Sequence, residues 1–127
     1  MESKGPMVPE VIRKPGIEYL YLPPGSGIAL TPGNVGDLIG ICLGKNVSCI
    51  LLEEEHFPPD FFQLGSLEAG EILQKTRSYG IRLAAIAPPG RQYPERFRMM
   101  LVEETRGGYF GMFPDRQQAE EWFQRTT

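Results

Sequence analysis

What this sequence holds little of narrows its function first. It has one histidine, His56, and two cysteines, Cys42 and Cys49, in 127 residues. Any chemistry that needs an imidazole therefore has His56 as its sole candidate. The cysteines stand seven positions apart, with neither metal-ligand nor redox-motif spacing. A disulfide between them would close a very short loop between a predicted helix and the next strand, so both are expected to be small buried hydrophobes.

Basic residues are also short: 13 Lys and Arg stand against 16 Asp and Glu, and no window gathers them into a stripe that tracks a phosphate backbone. Nucleic acid is thereby set aside as the main partner. No segment approaches the roughly 18 uninterrupted apolar residues of a membrane span, and "MESKGPMVPEVIRKPG" lacks the apolar run of a signal peptide, so a cytoplasmic protein is expected. At this length one core, and hence one domain, is expected.

Residues 1–15 mix Pro, Gly, Lys and Glu around isolated valines and read as a flexible arm, leaving residues 16–127 as the domain. "IEYLYL" alternates aromatic and aliphatic side chains, "PPGSG" supplies a turn, and "IAL" returns as a second strand, which makes an opening hairpin. In "TPGNVGDLIGICLGKN" Thr31 can cap and Pro32 can occupy the first helical position, while Val35, Leu38, Ile39 and Cys42 share a face. Gly44 or Asn46 can end this helix in a left-handed conformation.

"VSCILLEE" is an apolar run suited to a strand covered on both faces. Asp60 and Gln63 have capping-box spacing, so Phe61 to Leu64 are expected to start a helical turn. From Ser66 to Tyr79 the face Ala69, Ile72, Leu73 and Thr76 defines a helix that Gly80 stops. "IRLAAIAPP" is a further strand, Glu95 to Arg106 a further helix, and "YFGMF" a last strand. A final helix follows, with capping-box spacing at Asp115 and Gln118. The order ββαβαβαβα predicts an α/β domain with a mixed, mostly parallel sheet of about five strands and about four helices.

Several residues invite chemistry. "EEEHFPPD" sets Glu53, Glu54, Glu55, His56 and Asp60 at the carboxyl end of a strand, where open α/β sheets bind ligands. The spacing matches no standard metal site, and a solvated loop accounts for the charges without an ion, so no metal or cofactor is assigned. His56 with Asp60 or a nearby Glu is the acid–base pair of an enzymatic alternative. Phe57, Phe61, Phe62 and Tyr93 can line a small apolar pocket or belong to the core. Arg77, Arg82, Arg91, Arg96 and Arg98 are scattered; a cleft for an anion could collect some of them near "PPGRQYPERFR", but a solvated face accounts for them without one. Ser66 has three readings: N-cap, phosphorylation site facing the repulsion of Glu68 and Glu71, or nucleophile. "LGSLEAG" lacks the second glycine of a nucleophile elbow, which disfavours the third.

The acidic strand end Glu53 to Glu55, the run Pro59 to Phe62, the helix Ala69 to Lys75, Tyr79, and the terminal segments Tyr109 to Phe113 and Ala119 to Phe123 resemble a bacterial family known as domain of unknown function 4180, over roughly residues 17–125. The element order is also similar to the anti-sigma-factor-antagonist (STAS) domains and the SpoIIAA-like folds around them. That resemblance implies a serine or threonine opening the helix after the second inner strand, phosphorylated to switch partner binding; Ser66 matches it by position. The group's Gly-Leu step after that residue is here Leu67-Glu68.

The expectation is a non-enzymatic regulatory or binding module. It would act through a protein partner or small ligand near the start of the 66–79 helix, with Ser66, Glu68, Phe57, Phe61 and Tyr93 as contact residues. A C2 homodimer is the default if the chain assembles.

Overall fold

The computed structural model describes residues 9–25, 29–63 and 67–125. The first strand, β1 (Glu10–Lys14), comes from the segment read as an arm. It pairs antiparallel with β2 (Ile17–Tyr21), in register Val11↔Leu20 and Ile12↔Tyr19. Pro15 and Gly16 make the connection, and Gly16 takes φ +80°, as the second central residue of a Pro-Gly turn requires. The strand and its turn thus lie across the boundary expected at residue 16. Val11 and Ile12 are apolar neighbours that point to opposite faces, so β1 packs on both layers with too few apolar residues to show a period.

The expected hairpin is not the one formed, because β2 pairs with β1. Ala29 and Leu30 are not in a strand, and Ile28 lies outside the described residues. Leu30 is instead buried in the core, its N–H donating to the His56 carbonyl at 2.6 Å.

After β2 come α1 (Val35–Lys45), β3 (Cys49–Glu53), α2 (Glu68–Ser78), β4 (Arg82–Ile86), α3 (Glu95–Gly107), β5 (Phe110–Phe113) and α4 (Arg116–Arg125). The sheet is mixed, with order β1-β2-β3-β4-β5; β2 through β5 pair in parallel, and β1 supplies the antiparallel edge. Strand alternation divides the interior into two layers. Leu20, Ile50, Leu52, Leu83, Ala85 and Phe110 face a core covered by α1, α2 and α3. Tyr19, Tyr21, Cys49, Leu51 and Ala84 face the other layer, covered by Ala119, Trp122 and Phe123 of α4.

Local signals account for the helix ends. The Asn34 N–H donates to Thr31 Oγ1 at 3.2 Å and the Thr31 N–H to Asn34 Oδ1 at 2.9 Å, a reciprocal cap that sets α1 going at Val35 rather than at Pro32. Asn46 closes α1 with φ +61°. Asp115 Oδ1 accepts from the Gln118 N–H at 2.9 Å at the start of α4. Among the described residues no helix is long and apolar enough to cross a membrane.

Because each parallel strand lies beside the next in chain order, the sheet has, among the described residues, no point where strand order reverses, the usual crevice of an open α/β sheet. Any hollow at the carboxyl edge must then be built by the loops that leave the strands.

Candidate functional site

Beyond Glu53 the chain leaves β3 through two short 3₁₀ turns, Glu54–His56 and Pro59–Phe62. His56 locks the first turn. The residue is 1% exposed. Nδ1 accepts from the Glu53 N–H at 3.0 Å, so the ring proton sits on Nε2, which lies 3.1 Å from the Pro23 carbonyl and donates to it. With the Leu30 N–H on its own carbonyl, His56 ties the exit of β3 to the exit of β2.

The three glutamates before it diverge. Glu53 accepts from the Tyr21 hydroxyl at 2.8 Å, on the α4 side of the sheet. Glu54 turns the other way: its Oε2 accepts from the Tyr93 hydroxyl, and its Oε1 is 2.9 Å from the Arg91 guanidinium. Glu55 accepts the Gly25 N–H at 2.6 Å. Burial, then the hydrogen bond to the Glu54 carboxylate, raise the Tyr93 phenol above its ordinary value.

Between these turns and the 91–94 segment lies a cleft of about 400 Å³. Phe57, Pro59, Phe62, Tyr93 and Pro94 form its apolar wall; Glu54, Glu55, Gln63, Arg91 and Gln92 supply its polar groups. Tyr93 stacks on Phe62 with centroids 5.0 Å apart and planes at 26°. Behind the wall Phe57 and Phe61 meet at 4.5 Å, and Phe61, 0% exposed, also touches Phe97 and Phe110. The aromatic content of "HFPPDFF" is thus shared between a surface and a core.

Of the residues singled out from sequence, Phe57 and Tyr93 line this cleft, whereas Phe61 supports it from the core. Asp60 is exposed on the second 3₁₀ turn and Glu68 is half-buried at the start of α2. Ser66, with the capping, phosphorylation and nucleophile readings placed on it, lies outside the described residues. Leu67, which follows it, takes φ +68° and leads into α2. Among the described residues no group of three or more His, Cys, Asp or Glu side chains is placed to hold a metal ion.

Both cysteines are free thiols and buried. Burial, reinforced by neighbouring Cys49, pushes the Cys42 thiol up to about 12. Burial also raises Cys49, against the opposing charge of Arg82.

Sequence reasoning missed a second polar group, under α4. Glu120 accepts from the Tyr19 hydroxyl and from Lys14 Nζ at 2.9 Å, and Arg116 lies 4.2 Å from the centroid of the Tyr21 ring. Burial works against the charge on Glu120, but the hydrogen bonds from Tyr19 and Lys14 and the charges of Lys14 and Arg116 outweigh it and hold the carboxyl below its ordinary value. The available signal was the alternation Tyr19, Tyr21, which puts two phenols on one face of a covered strand, where each needs a partner.

Comparison with curated proteins and with solved structures gave no match. The family described as Domain of unknown function (DUF4180) matches residues 16–123. That span begins in the turn before β2, ends at the last buried aromatic of α4 and contains every residue that lines the cleft, and the chain belongs to this family.

Proposed function

We propose that the chain is a non-enzymatic regulatory or binding module whose protein partner or small ligand seats in the cleft beside the segment leading into α2. The observation that carries this reading is the cleft itself. At about 400 Å³ it falls in the range of small-ligand sites, and an apolar aromatic wall with a few converging polar groups is the usual make-up of one. His56 argues against the acid–base alternative, since both of its ring nitrogens hold backbone groups in the interior. The resemblance to STAS domains supports a partner-facing role for the start of α2, with Ser66 the position where a phosphate would act.

Amide shift mapping of the isotope-labelled protein against a mixed fragment library tests the reading. Binding fragments should perturb residues 54–63 and 91–94 together, and Tyr93→Ala should remove the effect. Fragments that perturb only other surfaces, or none that bind at millimolar concentration, would overturn it.

A further inference from the structure

The cleft carries the chemistry of its occupant in its own charges. Two carboxylates, Glu54 and Glu55, face one cation, Arg91, so the lining groups leave one negative charge in excess. Glu54 is nearly buried, and a carboxylate in that position needs a cation or strong donors to stay ionised.

The cation now on it is largely exposed. The Arg91 side chain is 59% exposed, follows Gly90 at φ +88°, and makes a 2.9 Å contact with Oε1. Elsewhere on the molecule Arg77 touches both oxygens of Glu104, at 2.6 and 2.7 Å. Around Glu54 the rings of Phe57, Phe62 and Tyr93 offer apolar surface to an alkyl stem and ring edges and faces to a cationic head.

We propose that the cleft binds the basic side chain of a partner polypeptide, an arginine foremost, which replaces Arg91 on Glu54 while the Tyr93 hydroxyl keeps the other oxygen. Arg91 is then an internal competitor that occupies the seat until the partner arrives. The proposal rests on the cleft being the binding site and adds the charge and shape of what enters it. A guanidinium suits Glu54 better than an ammonium does, because it presents several donors in one plane and stacks on the aromatic faces beside it.

The test uses blocked amino acids as probes, followed by amide shifts of the full chain: N-acetyl-arginine amide, its neutral isostere N-acetyl-citrulline amide, and N-acetyl-glutamate as the anion. The arginine probe should saturate shifts in residues 54–63 and 91–94, with citrulline at least about tenfold weaker. Arg91→Ala should bind the arginine probe about fivefold tighter, the scale of one exposed ion pair removed from competition. A gain in affinity cannot arise from misfolding. Glu54→Gln should lose binding, with its amide spectrum as the check that it folds. Equal binding of citrulline and arginine, preference for the glutamate probe, or no gain in Arg91→Ala would overturn the proposal. If neutral or anionic fragments fill the cleft while the arginine probe does not, the basic partner falls and the binding module stands. If nothing fills it, both fall.

Discussion

Replacing His56 with phenylalanine keeps a flat aromatic ring, somewhat larger than the imidazole, and deletes both ring nitrogens, so it removes the two hydrogen bonds at once. The Glu53 N–H loses its acceptor at 3.0 Å, and the Pro23 carbonyl loses its donor at 3.1 Å. Pro23 is buried and Glu53 half-buried, so water replaces neither partner fully. An orphaned interior donor or acceptor costs about 1–3 kcal/mol, and the pair together costs about 2–6 kcal/mol. That is a large share of the ~5–15 kcal/mol by which a domain of this size is stable.

Urea unfolding measures it. With a slope of about 2 kcal/mol per molar, the midpoint should fall by about 1–3 M. Two further variants separate the bonds. His56→Asn places an acceptor near the position of Nδ1 and preserves the Glu53 link; His56→Gln reaches toward Nε2 and preserves the Pro23 link. Both should lie between the wild type and His56→Phe. If His56→Phe stays within about 0.5 kcal/mol of the wild type, His56 is not a clamp and its buried nitrogens need another purpose. If Asn and Gln are both as damaging as Phe, the loss comes from packing rather than from the backbone bonds.

Three other outcomes are expected. Leu67→Gly should raise stability by about 1 kcal/mol in the same assay, because Leu67 is 68% exposed and held at φ +68°, a conformation that costs a side-chain-bearing residue about 1–2 kcal/mol; a loss of stability would show that its side chain is needed. Glu120, 16% exposed, has a folded value held below the ordinary 4.5, so the stability it contributes is fully present above about pH 4.5 and lost as pH falls through the folded value. The stability gap between wild type and Glu120→Gln should therefore be constant near neutrality and shrink below pH 4.5, and a gap independent of pH would sink this assignment. Both thiols should resist iodoacetamide in the native protein near neutral pH and react once urea unfolds it, as burial and the raised Cys42 value require; rapid native labelling would contradict it.

The elements easiest to read were those whose signals are local. Ala69, Ile72, Leu73 and Thr76 are the buried face of α2, as their spacing implies, and the Asp115 and Gln118 pair does cap α4. β1 escaped because its evidence is not local. Its two central apolar residues belong to different layers, and its pairing is set by the Pro15-Gly16 turn, a signal present in "KPGI" but outweighed by the prolines before it. "IAL" misled for the opposite reason: its hydrophobicity is real, but Leu30 fills the core from a loop rather than from a ladder.

The site shows the same division. The acidic run was legible as a feature of the carboxyl edge, while its partners were not, since Tyr21 lies 32 residues before Glu53 and Tyr93 lies 39 after Glu54. Arg91 read as one of several scattered cations until the fold set it against Glu54. Leu67 carries a sharper lesson. It holds a left-handed backbone, φ +68°, that glycine adopts without strain, and nothing in its side chain announces that conformation.

The end of β3 is where two polar systems meet. Glu53 is held by Tyr21, which packs in the layer under α4 with Tyr19, Arg116 and Glu120. Glu54, the next residue, belongs to the cleft, with Tyr93 and Arg91. A strand that ran on would send these two carboxylates to opposite faces with nothing between them to fix the turn. His56 does so by gripping the Glu53 N–H, so that the ring which holds β3 to Pro23 also sets the direction in which Glu54 leaves the sheet. In a sheet without a strand-order reversal, the hollow at this edge depends on that turn and on the 88–94 loop that closes it from the other side. The histidine therefore serves the site by building it: loosening His56 should alter the cleft through the position of Glu54 before it alters any group that an occupant would touch.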